Sequence, residues 1–231
     1  SFYDGDMYNN KKTILNQVEK MLNDGASFID LGAYSSRPGA THVSEDEEKN
    51  RIIKIVELLA KEFPKANLSI DTFRSSVADE CLSAGASIIN DITASEYDTE
   101  ILKVAHKHNA PYIMMHMKGM PGNMMKNNKY NNLIKDILYY FSMKIEAARY
   151  AKVNDIIIDP GFGFSKDIDQ NYSLLKNLDL LKYLNLPILV GLSRKSMIYK
   201  LLKTTPELAL NGTTSLNTIA LLNGAKILRV H

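Results

Sequence analysis

The chain has 231 residues, of which 45% are hydrophobic and 23% charged. That is the composition of an ordinary globular protein with room for one large domain or two small ones. A net charge of +2 gives no bulk attraction to nucleic acid or to an anionic membrane. No apolar run approaches the ~20 residues of a membrane span, and no signal peptide is visible. The one cysteine, Cys81, excludes a disulfide within the chain and suits a reducing, cytoplasmic setting.

In chain order, Ile14, Leu15, Val18, Met21 and Leu22 have helical spacing, which predicts a helix over 10–24 stopped by Gly25. A strand follows at 27–33, then a loop, SSRPGA, at 35–40. Ser44 and Glu47 predict a capping box for a helix over 45–63, with Ile52, Ile55, Val56 and Leu59 facing inward. The pattern continues with a strand at 67–72, a helix at 75–84, a strand at 87–93, a helix at 97–108 and a strand at 111–117. Cys81 sits in the 75–84 helix as a small core residue. A loop at 118–130 is long for a compact domain. A helix over 131–151 leads to the run DIIIDPGFGFSK at 155–166. There a buried strand, Asp155 to Ile158, ends in Asp159, and Pro160 with two glycines turns the chain. Phe162 and Phe164 are not expected to be buried together in so short a loop; at least one should cover a cavity. A helix at 170–184, a strand at 187–193, helical turns over 194–223 and a strand at 226–231 complete the chain.

Seven apolar strands alternating with helical blocks indicate βαβ units and a parallel sheet in one domain, residues 1–231. Eight such units close a barrel. The expectation is a (β/α)8 TIM barrel clipped of its first strand and last helix, with a doubly wound open sheet as the alternative. In a barrel the site lies at the carboxyl ends of the strands. Read in order, those ends carry Asp30, Asp71, Asn90 with Asp91, Met115 with His116, Asp159, Ser193 with Arg194 and Lys195, and Arg229 with His231. Asp71, Asn90, Asp159 and Lys195 suit a flat polar heterocycle: carboxylates accept from N–H groups, an amide does both, and lysine donates. Arg37, Arg229 and His231 suit phosphate oxygens. Asp30 reads first as internally paired, and His116 as facing either the core or the mouth. His42, His106 and His108 read as solvated. No zinc spacing, nucleophile elbow or P-loop occurs.

The motifs SSRPGA, IDT, INDIT, MMHM, IDPGFGFSK, GLSRKSM and RVH, in this order, closely resemble the dihydropteroate synthases over nearly the whole chain. The resemblance implies a TIM-barrel transferase. It joins 4-aminobenzoate to 6-hydroxymethyl-7,8-dihydropterin diphosphate, releasing diphosphate and forming 7,8-dihydropteroate; sulfonamides mimic the aminobenzoate. It implies that Asp71, Asn90, Met115, Asp159, Phe164 and Lys195 hold the pterin, with Asp71, Lys195 and Arg229 catalytic. Ser36, Arg37, Arg229 and His231 would hold the diphosphate. Phe2, Arg37, Pro38, Phe164 and Ser196 would meet the aminobenzoate. It further implies Mg²⁺ on the diphosphate, its protein ligand expected on the absent first strand and none within this chain. A homodimer is expected, with no nucleic-acid or membrane partner. Tyr34, Ser36, Ser165 and Asp6 depart from the family pattern, Ser165 standing where glycine is common. The other readings are a pterin-dependent methyltransferase and a non-catalytic pterin-binding homologue.

Overall fold

A computed structural model describes residues 11–33, 43–119 and 128–231. Phe2, Ser36, Arg37, Pro38 and His42 lie outside the described residues. The chain divides into two compact units. One reaches Ile113 and takes back Arg149–Asp155; the other comprises Met114–Ala148 and Ile156–His231.

The first unit holds α1 (Lys11–Asn23), β1 (Phe28–Leu31), α2 (Glu45–Glu62), β2 (Asn67–Asp71), α3 (Ser75–Ser83), β3 (Ile88–Asp91) and α4 (Glu100–His108). β1 pairs with β2 and β2 with β3, all parallel. Helices this short are marginal in water, so packing must hold them. The apolar stripes of α1, α2 and α3 supply Ile14, Val18, Ile52, Val56, Leu59, Val77 and Cys81 to one cluster with Ile29, Leu68 and Ile70 of the strands. Each such side chain, fully buried, stabilises by ~1.5–3 kcal/mol. Burial in that apolar cluster pushes the Cys81 thiol up to about 12, so it is an inert core residue.

Two local expectations change here. The Ser44 hydroxyl accepts from Glu47 N at 3.3 Å, but Arg51 claims the Glu47 carboxylate, so the capping box is half formed. α4 starts at Glu100 rather than near 97, because carboxylates capture the preceding backbone. Asp91 accepts from Thr93 N and Ser95 N, both at 2.7 Å, and Asp98 from Ser75 N at 2.8 Å and Glu100 N at 3.0 Å. Such side-chain turns compete with helix.

β4 (Tyr112–Met115) runs from the first unit into the second. The second unit continues with α5 (Leu133–Tyr150, whose last two residues belong to the first unit), β5 (Ile156–Asp159), α6 (Ile168–Lys176) and a 3₁₀ helix (Leu178–Leu184). Then come β6 (Ile188–Val190), α7 (Ser196–Leu201), α8 (Leu210–Leu222) and β7 (Ala225–Leu228). The single helix expected over 170–184 is therefore two; 3₁₀ spacing eclipses residues three apart and lets Leu178 and Leu181 both be buried. β6 and β7 are parallel but not in simple register: Ile188 faces Ala225, whereas Leu189 faces Ile227. The extra residue, Lys226, is a bulge that reverses which face the rest of β7 presents. Seven strands in chain order, alternating with helices, are the βα units of a (β/α)8 barrel. The order never reverses, as it would in a doubly wound sheet.

Candidate active site

In the first unit the polar strand residues line one face. Asp30 stands opposite Ser69, and Asp71 opposite Asn90. Residues 69 and 71 are two apart, so all four project from the same side. Ser69 Oγ donates to Asp30 Oδ1 at 2.7 Å, and Asn90 Nδ2 donates to Asp30 Oδ2 at 3.1 Å. Asp30 thus orients its neighbours, as the internal-pairing expectation has it. Asp91, one residue on, points the other way and is fully buried. It accepts from Thr93 and from Tyr112 Oη at 2.6 Å, and burial still raises its pKa above the ordinary range. Asp91 shapes the turn beside Asn90.

A buried pair closes the same unit. Arg74 and Glu48, 4% and 0% exposed, form an ion pair. Thr72 Oγ1 donates to Glu48 at 2.7 Å, and Arg74 Nη2 donates to Val43 O at 2.9 Å. Nothing in the spacing of these residues announced the pair.

In the second unit Asp159 is the last residue of β5, one position later than the expected strand end, and is buried. Its Oδ1 accepts from Gly161 N at 2.8 Å and its Oδ2 lies 3.7 Å from Arg229 Nη2. Lys195 Nζ donates to Phe162 O and lies 5.0 Å from the centre of the Phe164 ring. Burial, then the nearby Arg229 charge, push Lys195 down to about 7. The β7 bulge sets Arg229 beside Gly191: a Cβ there would lie 3.3 Å from the guanidinium. The same bulge brings His231 Nδ1 to 3.1 Å from Ser193 Oγ. Met115 ends β4 buried, and Ser196 opens α7.

The structure corrects some expectations and decides others that were left open. Phe162 and Phe164 are both buried, because the loop folds inward rather than across the surface. His116 belongs to the core, 1% exposed, with Tyr140 edge-on at 4.8 Å. Burial and the Lys166 charge hold its pKa well below the usual range. His106 is exposed, but His108 is not solvated: its Nε2 lies 2.5 Å from Asp79. Arg194 faces the α7–α8 connection, donating to Pro206 O at 3.0 Å. Ser165 takes the left-handed conformation, φ 51°, where glycine would be easier. Its hydroxyl compensates, accepting from Lys118 N at 2.9 Å and donating to Lys118 O at 2.8 Å.

The profile of the family described as "Pterin binding enzyme" matches residues 1–231. A dihydropteroate synthase of Synechocystis is 43% identical over 234 residues, covering 100% of this chain and 81% of its own. A Yersinia pestis dihydropteroate synthase solved with a sulfonamide drug superimposes with a TM-score of 0.95 at 42% identity, over 100% of this chain and 84% of the other. A Thermus thermophilus dihydropteroate synthase in complex with 4-aminobenzoate gives 0.88 at 33% identity, over 94% and 83%. The chain therefore belongs to the pterin-binding enzymes and, among them, to the dihydropteroate synthase family.

Proposed function

We propose that this chain condenses 4-aminobenzoate with 6-hydroxymethyl-7,8-dihydropterin diphosphate, giving 7,8-dihydropteroate and diphosphate. The observation that carries the reading is the likeness to dihydropteroate synthases along the whole chain, at 43% identity to one of them. In this reading Asp71, Asn90, Asp159 and Lys195 bond the rim of the pterin, with Met115 and Phe164 against its faces. Ser36, Arg37, Arg229 and His231 take the diphosphate; Phe2, Arg37, Pro38, Phe164 and Ser196 meet the aminobenzoate. The C–O bond to diphosphate breaks and positive charge develops on the pterin methylene. Asp71 stabilises that charge as a fixed carboxylate, and Arg229 stabilises the leaving oxygens. The amine then attacks and gives up its proton. No protein nucleophile takes part.

Mg²⁺ is also a proposal. Among the described residues no three His, Cys, Asp or Glu stand together as a metal cage. No step above runs through a metal; an ion riding on diphosphate oxygens would agree with the ordinary habit of Mg²⁺. A homodimer and a cytoplasmic location belong to the same proposal, tested by sedimentation and by cell fractionation. The activity is tested by diphosphate release. Release that requires both substrates supports the reading, whereas pterin binding without release would make the chain a non-catalytic homologue.

A further inference from the structure

Residues 161–166 carry a backbone accounting that goes beyond substrate contact. Buried peptide groups must find partners, and in this loop, besides Phe164 N donating to Gly161 O at 3.1 Å, partners come from fixed side chains. Gly161 N donates to Asp159 at 2.8 Å, and Gly163 N donates to the buried Asn171 Oδ1 at 2.7 Å. Tyr130 Oη donates to Ser165 O at 2.9 Å, and Asn171 Nδ2 to Lys166 O at 3.2 Å. The carbonyls of Gly161 and Phe164 are both taken by Lys166 Nζ, each at 3.0 Å. The third neighbour of that ammonium is His116 Nδ1, also at 3.0 Å.

A lysine ammonium has three N–H donors and no acceptor. Here three acceptors stand around it, two carbonyls and a neutral imidazole nitrogen. Lys166 is 2% exposed, so the charge is kept from water. An unpaired cation could not stay there, since burial costs several kcal/mol unless hydrogen bonds offset it. Burial pushes Lys166 down to about 7, opposed by the nearby Asp159 and helped by Lys195 and Lys118. The loop has no slack on its other side either: a Cβ on Gly161, φ +71°, would lie 2.1 Å from His116 O.

We propose that Lys166 is a positioning residue for pterin binding: its ammonium ties the carbonyls of Gly161 and Phe164 to the His116 imidazole, and so sets both the Phe164 ring and the Phe162 carbonyl that receives Lys195. Lys166 touches no substrate in this account. It acts through the loop, on two groups that the proposed function places at the pterin and on which this inference therefore rests. Loss of the ammonium removes a donor from the Phe164 carbonyl and from the Gly161 carbonyl, which keeps only Phe164 N at 3.1 Å, and lets the Phe164 ring and Lys195 shift together.

The test compares wild type with Lys166→Met by calorimetry with a pterin ligand and by KM for each substrate, alongside a thermal melt. The expected result is a folded variant whose pterin affinity falls about tenfold or more, with the KM for 4-aminobenzoate, which Phe164 also meets, raised by a clearly smaller factor. A double variant with Lys195→Met should show the two losses to be less than additive, because both act on one loop. If Lys166→Met does not fold, Lys166→Gln retains an N–H donor for one carbonyl, and the same split is expected at smaller size. A folded variant that binds pterin like wild type overturns the proposal, as does one losing affinity for both substrates equally. If the wild type itself binds no pterin, the functional reading fails instead.

Discussion

Asp159 is buried, bonded to Gly161 N and near Arg229. Asp159→Asn should lower pterin affinity by more than ~10-fold, since a charge-assisted hydrogen bond contributes roughly 1.5–3 kcal/mol. Calorimetry checks this, and unchanged affinity in a folded variant would take Asp159 out of the site. His116 gives a pH prediction. Its folded pKa lies below its ordinary 6.5, so the unfolded chain binds the proton first as pH falls. The stability linked to His116 is present above about 6.5 and lost below it. Denaturant melts of His116→Gln at pH 7.5 and 5.0 should therefore show a smaller acid loss than wild type. Lys166 works in the same direction, in a higher pH window. With a folded value of about 7 against an ordinary 10.5, its linked stability rises as pH climbs between those values.

Elements act through their registers and their ties. The bulge at Lys226 places Arg229 against Gly191, and the clash there would be with the far end of a flexible side chain. Gly191→Ala should thus change stability by less than about 1 kcal/mol while moving the guanidinium. The expected signature is a raised KM for the pterin diphosphate with a melting curve close to wild type; a KM unchanged from wild type would separate Arg229 from the diphosphate. The opposite balance holds for the tie between α2 and the end of β2. Arg74→Leu strands the buried Glu48, which should cost about 3–5 kcal/mol in urea unfolding. Replacing both partners by apolar residues should recover much of that loss.

For the whole molecule, ligand binding and stability are one equilibrium. A pterin ligand at about 100 times its Kd should stabilise the folded chain by ~2.7 kcal/mol, read as a thermal shift. In Asp159→Asn a ~10-fold loss of affinity should cut the stabilisation at the same ligand concentration to about half, ~1.4 kcal/mol.

The order of strands and helices was legible in the sequence because burial on both faces leaves continuous apolar runs, and amphipathic helices leave stripes. The strand-end carboxylates were legible for the same reason, since polar residues closing apolar runs stand out. Motif resemblance, rather than spacing, supplied the substrate chemistry. Only the tertiary structure decided what depends on contacts between distant residues. The Lys226 bulge leaves no local pattern, yet it reverses the face on which Arg229 and His231 lie. The sequence left His116 open between core and mouth and said nothing of Lys166; the fold buries Lys166 among two carbonyls of its own loop and the His116 imidazole. Glu48 and Arg74 are 26 positions apart, and a buried ion pair has no periodicity to betray it. Composition and period record which side of an element meets water; which buried polar group finds which partner is settled by the folded chain alone.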